Sequence, residues 1–272
     1  MELVSPIFRF ETPEAWVHQL SLVWRALEGP FHTETNPQCS THIHVSPSSG
    51  VWQLVQLKAL AKCILFFERP VDAIMPGARR ANLWCQSNRY NVRLRSLSME
   101  QALRAVDSTR TLEDLVLLMC CYSKDSELGR SKKAKKDFQH TPFRWNFTPL
   151  CEGTKGTVEF RQPPGSTATT DSRKWIEFTV AYVQGAIALG DQIDLSRQPN
   201  LERLHGVVIE GARRSGVRDT SYVQSLFSEA RDLPLGAYDL KDITPTDRQK
   251  FLKKADEKSI TVEKFKLLYG YK

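Results

Sequence analysis

The chain has 272 residues, 41% hydrophobic and 25% charged, with 14 glycines and 14 prolines. That length and balance suit a soluble protein with a full core, and they exclude collagen-like, low-complexity and wholly disordered chains. The net charge of +7 is local, because Arg130, Lys132, Lys133, Lys135 and Lys136 stand in one seven-residue stretch without an acid, so a solvated basic loop accounts for it more simply than a nucleic-acid surface.

In chain order, Thr12, Pro13 and Glu14 supply a cap, a first-turn proline and an acid, and Trp16, Leu20, Val23, Trp24 and Leu27 follow at helical spacing. A helix over 12–28 is expected, stopped by Gly29-Pro30. Thr41–Val45 alternates as a strand. The spacing of Leu54, Leu57, Leu60, Ala61, Ile64 and Leu65 predicts a buried helix within 52–67, with an extension over 72–74 up to Pro76-Gly77. Helices are expected at 98–107 and 111–122, the latter capped by Thr111. Phe143–Phe147 and Thr157–Arg161 alternate as strands, and 175–193 is a long helix behind an Asp171 cap. Helical pieces near 200–215, 220–231, 246–257 and 261–269 complete the chain. No apolar run reaches the roughly 18 residues of a membrane span, and the start shows no leader pattern. The six cysteines have no CxxC spacing, so reduced thiols in a cytoplasmic protein are expected. No internal repeat and no Gly/Ser linker is visible.

The three strands repeat one design. Alternation places Ile43 and Val45, Phe143, Trp145 and Phe147, and Val158 and Phe160 on one face. His42 with His44, Arg144 with Asn146, and Glu159 with Arg161 then share the other. A sheet covered by helices beneath and lined with ligand-binding groups above follows from that pattern. His42 and His44, about 7 Å apart on a strand, are either exposed imidazoles or metal ligands. Glu159 and Arg161 form either a surface ion pair or a carboxylate beside an arginine fork that holds phosphate. Arg79-Arg80 and Asn88-Arg89-Tyr90 stand in a basic loop for which solubility is a sufficient reason.

MELVSPIF at the start, TNPQCSTHIHVSP at 35–47, FFERPVDAIMPGARRAN at 66–82, FRWNFTPL at 143–150 and TVEFRQPPGST at 157–167 together resemble, in that order, the amidoligases of the glutamine-synthetase-like carboxylate-amine ligase superfamily. The resemblance spans about residues 2–190. It implies an α+β fold, a mainly antiparallel glutamine-synthetase-like sheet backed by helices with a helical C-terminal region, divided as a catalytic unit over 1–195 and a helical extension of the same domain over 196–272. It also implies ATP, Mg²⁺ or Mn²⁺, and a reaction that activates a carboxylate of an amino acid or peptide as an acyl phosphate and couples it to an amine. By that resemblance Glu2, His42 and Glu159 are metal ligands, and His44 lies near nucleotide or substrate. Arg161 meets the transferred phosphate or the acid. Arg144, Arg79 and Arg80 contact phosphate, and Asn36 and Asn146 shape the pocket.

Two departures from the family pattern stand out. Ser40 occupies a position where the family usually has glycine. The earlier strand of alternating glutamates that family members carry is not seen before Met1, so fewer carboxylate ligands and an unpaired sheet edge are expected. Three alternatives follow. A shortened, non-catalytic relative would bind nucleotide or a partner, and a metal-dependent hydrolase would use the two histidines and Glu159 without ATP. A basic nucleic-acid module would need aromatic residues interleaved with 130–136, where only Phe138 lies close.

Overall fold

The computed structural model describes residues 3–28, 30–36, 39–80, 82, 84–89, 91–125, 132–151 and 156–233. The helices expected at 246–257 and 261–269 lie outside these residues, as does Glu2. The described part is α+β, with two small antiparallel sheets among helices.

The first helix, α1 (Pro13–Glu28), buries Trp16, which stacks on Phe10, and Trp24 donates to Ser172 Oγ at 3.1 Å. Strand β1 (Ile43–Val45) leads to α2 (Leu54–Phe66), whose second half is buried on every side, as an apolar run of that length requires in a core. The expected extension is a separate short helix, α3 (Glu68–Ala73), followed by α4 (Gly77–Arg80) where a basic loop was expected. Ser98 caps α5 (Met99–Asp107): its hydroxyl accepts from Gln101 N–H, and the Gln101 side chain accepts from Ser98 N–H. Thr111 and Asp114 make the same reciprocal pair at the start of α6 (Leu112–Met119).

Helix α6 stops short of the expected 122. Cys121–Tyr122 forms β2, antiparallel to β3 (Phe138–Gln139), a hairpin that periodicity did not indicate. The apolar run 115–121 satisfies a buried helix and a buried strand equally, and only the pairing with Phe138 separates them.

The main sheet has the order β1-β5-β4, with β4 spanning Trp145–Asn146 and β5 spanning Val158–Phe160. Ile43 and Trp145 flank Phe160 in one row, and His44 and Asn146 flank Glu159 in the next. Directly opposed residues share a sheet face, so the first row is apolar and the second polar. Under the apolar row lies α7 (Thr169–Leu189): Trp145 stacks on Phe160 at 4.4 Å, and these rings meet Tyr182 and Phe178 at 5.5 and 6.0 Å. This helix begins earlier than expected, with Asp171 inside its first turn, and ends at Gly190, whose φ of +55° terminates the helix. Asn200 caps α8 (Leu201–Arg214) by accepting from Arg203 N–H, and α9 (Ser221–Ser225) is shorter than the expected 220–231. No helix among the described residues is long and apolar enough to cross a membrane, and none of the six cysteines is in a disulfide.

Candidate functional site

The polar row of the sheet is built around one carboxylate. Glu159 stands at the centre of the middle strand, so both neighbouring strands and its own can reach it. Arg161, just past the end of that strand, places Nη1 2.7 Å from Oε1. From β1 and the residue before it come His44 Nε2 at 3.6 Å and His42 Nδ1 at 3.2 Å, both facing that oxygen. Asn146 on β4 donates from Nδ2 to Oε2 at 2.7 Å, and its own Oδ1 accepts from the N–H and hydroxyl of Thr148. Period-two alternation on three strands therefore brings His42, His44, Asn146, Glu159 and Arg161 together.

A buried anion needs such partners. The Glu159 side chain is only 5% exposed, and burial alone pushes its pKa up. The hydrogen bond from His42, the charge of Arg161, the Asn146 amide and His44 outweigh that effect and hold it at about 2. The imidazoles above it are accessible, each with a side chain 31% exposed. His44 Nδ1 also lies 2.8 Å from Thr157 Oγ1, and His42 Nε2 lies 2.7 Å from Ser40 Oγ.

Three expected phosphate contacts lie elsewhere. Arg144 was expected on this face beside Asn146, but its side chain turns into the interior. Nη1 lies 3.0 Å from Asp72 Oδ2 and 3.4 Å from Glu68 Oε1, and Nη2 donates to the Arg80 carbonyl at 2.6 Å. Arg79 is buried and donates from Nε to Gln162 O and from Nη2 to Arg161 O, fixing the backbone that carries Arg161; burial lowers its pKa. Arg80 donates from Nε to Met75 O at 2.8 Å, binding carbonyls at the end of α3. All three are therefore held by the protein. Asn36 accepts from Cys39 N–H through its carbonyl at 2.9 Å.

The second cluster was missed as such. Glu68 and Asp72 are four residues apart on α3, one helix face by spacing, and both are buried. Glu68 accepts from Asn88 N–H and Ser87 Oγ, and Asp72 accepts from Gln162 Nε2 at 2.6 Å. Asn88 pairs with the Trp145 backbone through both its side-chain atoms, standing in for a strand beside β4. This network braces the sheet from behind.

Two imidazoles and a carboxylate are ligand types that suit a divalent cation. Arg161 already sets a positive charge against the oxygen that both histidines face. No group of three or more His, Cys, Asp and Glu side chains among the described residues is placed to hold a metal ion. His42 and Glu159, expected with Glu2 as ligands, meet here through an ion-pair contact at 3.2 Å, and Glu2 lies outside the described residues. In the basic stretch, Lys132, Lys133, Lys135 and Lys136 are exposed, with Lys132 Nζ 5.4 Å from the centre of the Phe138 ring, and Arg130 lies outside the described residues.

Residues 1–183 match a protein-family model described as "Putative amidoligase enzyme". No curated protein and no solved structure matches the chain.

Proposed function

Because the chain belongs to the amidoligase family, whose members are ligase-type enzymes, we propose that it joins the carboxylate of an amino acid or peptide to an amine at the expense of ATP, in the cytoplasm, on a glutamine-synthetase-like sheet. The observation that carries this reading is the charge arrangement over β5. Arg161 presents a guanidinium at the open face with one edge on Glu159 and its Nε near the Trp84 carbonyl, leaving Nη2 for the oxygens of an acid or a phosphoryl group.

In this reaction a carboxylate oxygen of the acid attacks the γ-phosphorus of ATP, and ADP leaves as the P–O bond breaks. The resulting acyl phosphate is attacked at carbon by the amine, inorganic phosphate departs with the bonding electrons, and the amine's proton is lost to a base. Positioning and charge neutralisation carry most of the catalysis of such transfers. Arg161 orients the acid and offsets the negative charge gathered at phosphorus. Glu159, kept ionised, holds the Arg161 fork and both imidazoles in register, and His44, braced by Thr157, borders the space for nucleotide or amine. Mg²⁺ or Mn²⁺ accompanies ATP and neutralises phosphate charge when bound; no described residue is assigned to it.

ADP release from Mg·ATP, measured across a panel of amino-acid and dipeptide carboxylates with and without amines, tests this proposal. Turnover that requires both acid and amine is expected. Arg161→Lys should reduce it by about 10- to 100-fold, because a point charge cannot reproduce the fork. Glu159→Gln should reduce it by a similar factor while the thermal transition stays cooperative. A wild-type protein that forms no acid- and amine-dependent ADP, or an Arg161→Lys protein of full activity, would overturn it.

A further inference from the structure

Beside β4 the sheet is continued by a short stretch of chain that carries an exposed indole. Gln86 N–H donates to the Pro142 carbonyl and the Gln86 carbonyl accepts from Arg144 N–H, both at 2.8 Å, so Gln86 bridges Phe143 as the next position outward. On the inner side, Arg161 N–H donates to the Arg144 carbonyl at 2.8 Å. The Arg161 side chain reaches across the end of β4 toward that outer stretch. Its Nη1 stays on Glu159, and its Nε donates to the Trp84 carbonyl at 3.4 Å. Trp84 thus borders the open face on which the guanidinium lies.

The backbone at Trp84 is fixed. Asn82 Oδ1 accepts from Trp84 N–H at 2.9 Å while Asn82 Nδ2 donates to the Ala78 carbonyl of α4 at 3.2 Å, and Cys85 N–H donates to the Asn82 carbonyl at 3.3 Å. The two residues that follow, Cys85 and Gln86, are buried. The indole stands out from this frame: Trp84 is 49% exposed, where Trp16, Trp145 and Trp175 are each 2% exposed. A ring of that size, left in water by a turn whose backbone is pinned, offers a ready apolar face to a ligand on the same side of the sheet.

We propose that the acid bound at this site carries an aromatic side chain, which stacks on the Trp84 indole while its carboxylate lies on Arg161; this rests on the reading of Arg161 as the anchor of the acid. The guanidinium fork holds the two carboxylate oxygens. Because the Trp84 carbonyl touches the same guanidinium, the indole stands about one side-chain length from the bound carboxylate. A small acid such as alanine fills the fork and leaves the indole wet. An aromatic acid also removes the facing surfaces of two rings from water, and an offset stack adds to that burial. The nucleobase is a poorer occupant. Adenine lies a ribose and two further phosphates away from a γ-phosphoryl group at Arg161, too far for a ring anchored beside that guanidinium.

The test is equilibrium binding by titration calorimetry to the purified full chain, without nucleotide, so that its outcome is separate from that of the turnover assay. N-acetyl-phenylalanine should bind about 10-fold or more tightly than N-acetyl-alanine, the size expected of a ring stack with the burial that accompanies it. Trp84→Ala should bring the two affinities within about 2-fold of each other, and Trp84→Phe, which keeps a ring, should retain most of the difference. Arg161→Lys should weaken both acids together. A non-hydrolysable ATP analogue with Mg²⁺ should bind Trp84→Ala as it binds the wild type. Equal affinities or no binding of either acid in the wild type, a preference that survives in Trp84→Ala, or a loss in Trp84→Ala that falls on the nucleotide and spares the acids would each overturn the proposal. A protein that turns over acid, amine and ATP with no aromatic preference would overturn this inference alone.

Discussion

Asp72 is where burial and charge pairing oppose each other most strongly. Burial drives its pKa up, Arg144 pulls it down, Glu68 pushes it up again, and it settles at about 6. An unfolded aspartate titrates near 4, so between those values the folded protein holds the extra proton. Stability from this group is complete below about pH 4 and is lost as pH rises through 6, by on the order of 2–3 kcal/mol. Glu159 works in the opposite sense: its folded pKa of about 2 contributes stability above the unfolded value that disappears on acidification. Asp72→Asn keeps the shape and the amide partner Gln162 while removing the titration. Urea unfolding of the variant from pH 4 to 7 should therefore lack the decline that the wild type shows, and equal slopes for the two proteins would refute the assignment. The same residue marks a boundary of sequence interpretation. Alternation correctly gathered His42, His44, Asn146, Glu159 and Arg161, because facing is a local property of a strand. It placed Arg144 wrongly because the carboxylates that capture it, Glu68 and Asp72, lie more than seventy positions earlier, and periodicity carries no information about a distant partner.

At the scale of elements, the helices were legible where caps and apolar spacing agreed, as at Ser98 and Thr111. They were less so where tertiary contact decides. Strands of two or three residues were expected to be longer, because the turns around Pro149 and Pro163 consume positions that still alternate. The crossing of α7 and α8 also has a steric rule that no pattern announces. A Cβ on Gly211 would fall 1.7 Å from the Ala181 carbonyl oxygen and 2.5 Å from Gly185 N, and one on Gly185 would fall 2.1 Å from the Val207 carbonyl oxygen. The two backbones approach closely only because both positions are glycine. Gly206, in the same helix α8, has open space where its Cβ would lie. One substitution should thus act with opposite signs: Gly206→Ala should stabilise by about 0.5–1 kcal/mol through helix propensity. Gly211→Ala should destabilise by about 1–3 kcal/mol or more as the helices are forced apart. Thermal denaturation of both variants measures the contrast, and a neutral Gly211→Ala would show that the helices can separate without cost.

At the scale of the molecule, the site depends on a core that extends from β1 to α9. Leu204, Val208 and Ala212 of α8 and Val223 of α9 belong to the same buried cluster as Ile43, Trp145 and Phe160 of the sheet. A run of rings connects the ends: Trp145 meets Phe160, Phe160 meets Phe178, Phe178 meets Phe227, and Phe227 meets His205. Lys62 on α2 pairs with Asp107 at the end of α5 and Asp191 just after α7, and Arg69 on α3 donates to the Leu233 carbonyl at 2.7 Å. Helices from the last third of the described residues therefore support the layer on which the strands rest. Leu204→Ala, at a fully buried position in α8, should cost about 2–5 kcal/mol. If the cluster melts as one unit, helix loss by far-UV circular dichroism and the tryptophan fluorescence change should shift together by the same number of degrees. Should the fluorescence transition, which includes Trp145 on the sheet, stay in place while part of the helix signal melts early, α8 and α9 would be an independent appendage. The arrangement of Glu159 and its partners would then owe nothing to them.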